Sequence, residues 1–205
     1  MKKIKAIGFD MGGVLVEDPS VNAIKYCADA FGVSVQAFLQ EFEKYFNEFQ
    51  LGKISERIIW RKLAATFDVK MPENASLWKD AIGSSYKEKD DMLLLLNELK
   101  KQGYTLALLS NTEIPTIEYL YENNNNFLKI FDVAIFSCIE NYVKPSKEIF
   151  EILICKLNVF PSEIIFVDDK PENLEGVTSC QINAIQFESY NQLLSELNKY
   201  SVVIN

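Results

Sequence analysis

Hydrophobic positions along this chain fall into two kinds of pattern. Residues 4–9, 105–110, 133–136, 164–167 and 184–187 are short, nearly all-apolar runs. They lack the in–out alternation of a half-exposed strand and fit strands covered on both faces of a parallel sheet. Around the last four, helical spacing predicts amphipathic helices over residues 90–102, 115–122, 147–157, 171–180 and 191–200. Strand and helix in alternation predict an α/β fold built on a doubly wound parallel sheet.

The stretch from Pro19 to Lys87 breaks that rhythm. It reads as helices only, over residues 22–31, 35–49, 55–67 and 75–86. Ser34 and Ser55 are N-cap candidates, and Gly32 and Gly52 are stops. Phe38, Phe42, Tyr45, Phe46 and Phe49 recur at helical spacing and read as the core of a small bundle rather than a ligand box. An inserted all-helical cap is therefore expected over residues 18–87, with residues 1–17 and 88–205 forming the α/β core. The asparagine run 123–126 reads as a polar loop.

Composition narrows the chemistry. A length of 205 residues suits one domain, or a core with a smaller insertion. A formal charge of -8 argues against nucleic acid, whose phosphates need a lysine and arginine footprint. No apolar stretch approaches the ~20 residues of a membrane span, and Met1-Lys2-Lys3 leads into a strand rather than a signal helix. Cys27, Cys138, Cys155 and Cys180 are scattered and form no CxxC pair, which fits buried free thiols in a reduced, cytoplasmic setting. The chain has no histidine. Ser-His and Cys-His pairs, HExxH metal sites and a histidine base are thereby excluded.

Ligands of open α/β sheets bind at the carboxyl ends of the strands. The first strand ends at Asp10, the second in Ser110-Asn111-Thr112, and the fourth in Asp168-Asp169; Lys144 lies just beyond the third. Singly, each has an ordinary reading as a helix cap or a solvated charge. Together, three carboxylates at one sheet edge repel unless a cation holds them, and an all-oxygen donor set favours magnesium. Lys144 with Ser110 and Asn111 suits an anion beside that metal.

The ordered motifs "FDMGGVLV", "LLSNT", "VKPSKEIF" and "FVDDKPENLEG" resemble those of the haloacid dehalogenase superfamily with a C1-type helical cap after the first strand. The resemblance covers essentially the whole chain. It implies a magnesium-dependent phosphatase acting on a small phosphate ester, a sugar phosphate among the options. By that resemblance Asp10 is the nucleophile that forms an aspartyl-phosphate. Ser110, with Asn111, binds the phosphoryl oxygens, and Lys144 neutralises Asp10 and phosphate. Asp10, the Gly12 carbonyl and Asp169 hold Mg2+, with Asp168 as a second ligand or as a partner one step removed from the metal.

One position departs from the family pattern. Most phosphatases of the superfamily carry a second aspartate two residues after the nucleophile, as acid and base, where this chain has Gly12. Glucose-1-phosphate-type phosphatases of the superfamily resemble it in having glycine there. The gap leaves open a phosphatase for substrates with good leaving groups, a dehalogenase, or a phosphate-binding regulatory protein. Glu17 and Asp18 follow the strand and either fold back over the site or form a solvated hinge. On the cap, Tyr45, Lys53, Arg57 and Arg61 are candidates for substrate selection.

Overall fold

The computed structural model describes residues 3–123 and 125–204, with Asn125 described by its backbone alone. Met1, Lys2, Asn124 and Asn205 lie outside the described residues, and with them the first two residues of the predicted lead-in and one residue of the predicted asparagine loop.

After β1 (Ala6–Phe9) come α1 (Ser20–Phe31), α2 (Val35–Gln50), α3 (Glu56–Phe67) and α4 (Leu77–Ser85). The alternating part follows: α5 (Asp90–Lys101), β2 (Thr105–Ser110), α6 (Ile114–Asn123), the single turn α7 (Asn125–Leu128) and β3 (Val133–Phe136). It continues through the single turn α8 (Ser137–Glu140), α9 (Lys147–Leu157), β4 (Ile164–Asp168), α10 (Pro171–Ser179), β5 (Asn183–Gln186) and α11 (Tyr190–Lys199). All strand pairings are parallel, in the order β3-β2-β1-β4-β5.

The continuous apolar runs are explained by cover on both faces. Ile7, Phe9, Leu106, Leu108, Ile165 and Val167 point into one cluster with Leu95 and Leu99 of α5, Leu120 of α6 and Leu193 of α11. Their neighbours Ala6, Ala107, Leu109, Ile164 and Phe166 point the other way, onto Phe150 and Leu153 of α9 and Val177 of α10. Because side chains alternate across a strand, each run supplies both layers.

The helices α1 to α4 enclose a third cluster of their own. Phe42 stacks between Trp60 and Trp78, with ring centroids 5.7 and 5.2 Å away. Phe38, Phe42 and Phe49 are buried in it, as the spacing predicted, while Tyr45 and Phe46 are only partly covered. Each fully buried aromatic of this size contributes roughly 1.5–3 kcal/mol. The chain leaves for this insert and returns from it side by side: Glu17 N–H donates to Lys87 O at 2.9 Å, and Lys89 N–H to Leu15 O at 3.0 Å.

Several local expectations need correction. Ser34 does cap α2, accepting from Ala37 N–H at 3.2 Å, but the Ser55 side chain makes no capping bond at α3. At that junction Glu56 ties the insert together instead, accepting from Trp60 Nε1 at 3.0 Å and Trp78 N–H at 2.9 Å. The asparagine run is not a plain loop: Asn123 ends α6, and Asn125 and Asn126 open α7. Cys155 is exposed, unlike the buried Cys27, Cys138 and Cys180; all four thiols are free. Among the described residues no helix is long and apolar enough to cross a membrane.

Gly52 shows how closely insert and core approach. Its φ is +68°, and a Cβ there would stand 2.2 Å from the backbone oxygen of Cys138. Nearby, Ser137 Oγ donates to Gln50 O at 2.7 Å. Gly52→Ala must therefore adopt a left-handed conformation and also push backbone aside. Urea denaturation should show a loss of about 1–3 kcal/mol; an unchanged midpoint would mean that this contact is not rigid.

Candidate active site

The strand order decides what converges. With β1 at the centre of the sheet, flanked by β2 and β4, Asp10 emerges between the end of β2 and the end of β4. Asp10 N–H donates to Val167 O at 2.9 Å, so the ladder holds its backbone to the last residue before the loop. Asp10, Ser110, Lys144 and Asp168 are all buried.

Lys144 is the hub. Its Nζ lies 2.7 Å from Asp10 Oδ1 and 2.6 Å from Asp168 Oδ2, and its side chain is 1% exposed. Burial works against the ammonium, but Asp10 and Asp168 outweigh it and hold its pKa above the usual lysine value. Asp10 moves the other way. Burial pushes its carboxyl up, Lys144 opposes, Asp168 adds repulsion, and the result is about 6.

The two acids after β4 differ sharply. Asp168 is fully buried, and both its oxygens are engaged. Oδ1 accepts from Lys170 N–H and from Asn173 Nδ2, each at 2.9 Å, and Oδ2 accepts from Lys144 Nζ. Asp169 Oδ1, by contrast, is buried with no hydrogen-bond partner. Burial and the neighbouring Asp168 raise the Asp169 pKa. A buried acceptor without a donor is costly, and a cation is what would satisfy it. Carboxylate oxygens of Asp10, Asp168 and Asp169 all lie within 4.8 Å of one another. One ammonium cannot neutralise three such groups, so the donor set fits a hard cation. Gly13 shapes this cradle: its φ is +81°, and a Cβ would stand 2.3 Å from Asp169 Oδ2.

The other predicted residues are placed as follows. Ser110 lines the same cavity as Asp10 and Lys144. Asn111 also reaches that cavity, but both ends of its amide are spent on the Lys144 backbone: Nδ2 donates to Lys144 O at 3.0 Å, and Oδ1 accepts from Lys144 N–H at 2.8 Å. It clamps the lysine loop. Glu17 is exposed and paired with Lys87 at 2.5 Å. Asp18 lines the cavity; its Oδ1 accepts from Ser20 N–H at 2.9 Å and from Ser20 Oγ at 2.6 Å.

The cavity is about 310 Å³, and the insert roofs it with Phe46, Gln50, Trp78 and Ile82. Tyr45, Lys53, Arg57 and Arg61 are not among its lining residues. Charge on a helix face is no guide to which face meets the core, so nothing in the sequence ranked these four above ordinary surface residues. Glu113 was missed as well. It reads locally as an ordinary acid before a helix, yet it is buried, with Oε2 accepting from Trp78 Nε1 at 3.0 Å and Thr116 Oγ1 at 3.1 Å. Burial raises its pKa, and those donors offset part of the rise.

The chain is similar to known proteins. A family model described as haloacid dehalogenase-like hydrolase matches residues 4–179. The chain is 28% identical over 170 residues to the sesquiterpene phosphatase astK of Aspergillus oryzae, covering 83% of each. It is 27% identical over 180 residues to D-ribitol-5-phosphate phosphatase of Bacteroides thetaiotaomicron, covering 83% of this chain and 85% of that protein. In three dimensions it resembles a haloacid dehalogenase family enzyme of the same bacterium, solved as a magnesium complex. The TM-score is 0.79 at 21% identity, over 94% of this chain and 98% of that one.

Removing the hub tests the electrostatics. Lys144→Met leaves two buried carboxylates without their cation and should cost roughly 3–5 kcal/mol near neutral pH. The sign with pH follows from Asp10. Its folded pKa, about 6, lies above its unfolded value, so the folded chain binds the extra proton and ionisation costs stability as pH rises through that window. Without Lys144, the main group opposing burial, the Asp10 pKa in the variant lies above the wild-type value, so the deficit of the variant, measured by denaturation at a series of pH values, should shrink as pH falls toward about 6. A deficit independent of pH would contradict the charge account.

Proposed function

We propose, since the chain belongs to the haloacid dehalogenase-like hydrolase family, that this site hydrolyses a small phosphate ester through an aspartyl-phosphate on Asp10, with Mg2+ as cofactor. The enzyme class is phosphoric monoester hydrolase. The observation that carries the finer reading is the division of labour at Lys144. Asp10 is held buried beside an ammonium, while Asp169 Oδ1 is left without any donor.

Each residue has a task in this reading. Asp10 attacks phosphorus, and Lys144, fixed by Asp168 and by the Asn111 clamp, offsets the charge shared by Asp10 and the phosphoryl group. Ser110 binds a phosphoryl oxygen. Asp10, the Gly12 carbonyl and Asp169 would hold the ion, and Asp168, saturated by Lys144, Asn173 and Lys170, supports the site from behind. When bound, the ion supplies positive charge that keeps Asp10 ionised and neutralises the phosphoryl oxygens. A dehalogenase has no use for the orphaned Asp169 carboxylate, since a halide gains nothing from a second anion.

The leaving group sits under the roof of Phe46, Trp78 and Ile82, beside Glu113. An apolar roof and a buried carboxylate favour a neutral organic alcohol over a second phosphate. Two phosphatases to which the chain is similar are named for sesquiterpene and D-ribitol-5-phosphate substrates.

Hydrolysis of an aryl phosphate should require magnesium and disappear with a chelator. Asp10→Asn should abolish turnover, because the amide matches the carboxylate in shape but is no nucleophile, and its circular dichroism should be that of the wild type. Full activity in chelator, or wild-type rates in Asp10→Asn, would contradict the reading.

A further inference from the structure

Aspartyl-phosphate chemistry needs a proton twice. The leaving oxygen must receive one, and the water that attacks the phosphoenzyme must give one up. Gly12 stands where most phosphatases of this kind place a carboxyl for that purpose, and glycine carries none.

The space beside Gly12 identifies a substitute. Gly12 is absent from the positive-φ glycines, so its backbone imposes no need for glycine. If a Cβ is built on it, the single heavy atom it meets within 4 Å is Asp18 Oδ1, at 4.0 Å. A carboxyl attached to that Cβ would project into the region the Asp18 carboxylate already borders. Asp18 faces the same cavity as Asp10, Ser110 and Lys144.

Its orientation is set, and part of it is free. Oδ1 is fixed by Ser20 N–H and Oγ at the start of α1, while Oδ2 has no hydrogen-bond partner among the described residues. The rival acids are committed elsewhere or lie away from Gly12. Glu17 and Asp18 are both exposed, but the Glu17 carboxylate is paired with Lys87. Glu113 is bound to Trp78 and Thr116 and is not within 4 Å of a Cβ at Gly12. Glu172 lines the cavity from the first turn of α10 and is not within 4 Å of the Gly12 position.

We propose that Asp18 is the general acid and base of this site, supplying from the segment just before the first inserted helix what Gly12 lacks. The inference rests on the phosphatase reading above. In the first step an Asp10 oxygen bonds to phosphorus as the bond from phosphorus to the ester oxygen breaks. That oxygen keeps the electron pair and takes the proton of Asp18. In the second step water bonds to phosphorus and gives its proton to Asp18. The acyl-phosphate bond breaks, Asp10 returns as carboxylate, and inorganic phosphate leaves.

Asp18→Asn is the decisive variant, because the asparagine Oδ1 can accept the same two bonds from Ser20 N–H and Oγ. The helix start is kept and only the proton is lost. Alkyl phosphate hydrolysis should fall by about 10²–10⁴. An aryl phosphate, whose leaving group needs little protonation, should still release a burst of phenol equal to the enzyme present, followed by slow turnover. Gly12→Asp added to Asp18→Asn should restore alkyl rates, and Glu17→Gln should match the wild type. An Asp18→Asn enzyme with the wild-type ratio of aryl to alkyl rates and no burst overturns the proposal while leaving the phosphatase intact. A wild-type protein that hydrolyses no phosphate ester with magnesium overturns the phosphatase reading, and this proposal with it.

Discussion

The rest of the site depends on one buried ammonium. Lys144 Nζ sits within ion-pair distance of Asp10 and Asp168 at once, in a place where any of the three alone would be expensive to ionise. Asn111 fixes the lysine backbone from both sides. Asn173 and Lys170 N–H fix the far side of Asp168. The proposed nucleophile is thus aimed by a chain of contacts reaching from the end of β2 to the first turn of α10. The arrangement is also short of positive charge. A single ammonium faces two buried carboxylates, with a third, Asp169, beside them, and the missing positive charge is the physical argument for a cation.

The insert contributes in a different way. Its aromatic core makes it a stable body, and the same aromatic layer supplies the roof. Phe42, in the middle of the cluster, stacks on Trp78, and Trp78 in turn donates to Glu113 of the core at 3.0 Å. Packing inside the insert and the lining of the leaving-group pocket are therefore mechanically continuous. A substitution deep in the aromatic cluster would be felt at the pocket without touching it.

The fold was legible where local pattern and tertiary environment agree. The all-apolar runs of β1, β2 and β4 could be read as strands covered on both sides because each supplies two layers of core. Asp10, Ser110, Lys144 and Asp169 could be nominated because sheet edges of this kind gather ligands. What the sequence withheld depends on pairings between distant segments. Nothing local says that the Asn111 amide closes on the Lys144 backbone rather than facing the cavity. Nor does it say that Asp168 is saturated while its neighbour is not. Phe46 and Trp78 look alike as core aromatics, yet both also line the cavity, and Glu113 resembles any acid before a helix. Ser55 stands at the N-cap position of α3 without a side-chain bond, while Glu56, next to it, accepts from Trp60 and Trp78.

The central claim is that Asp10, held by Lys144, becomes covalently phosphorylated. Rapid acid quench during turnover of an aryl phosphate with magnesium, followed by borohydride reduction and peptide mass spectrometry, tests it directly. Borohydride reduces an acyl phosphate to the alcohol, so the account predicts conversion of Asp10 to homoserine, and none when magnesium is chelated. Release of phosphate with Asp10 intact, or reduction at a different carboxylate, would contradict it.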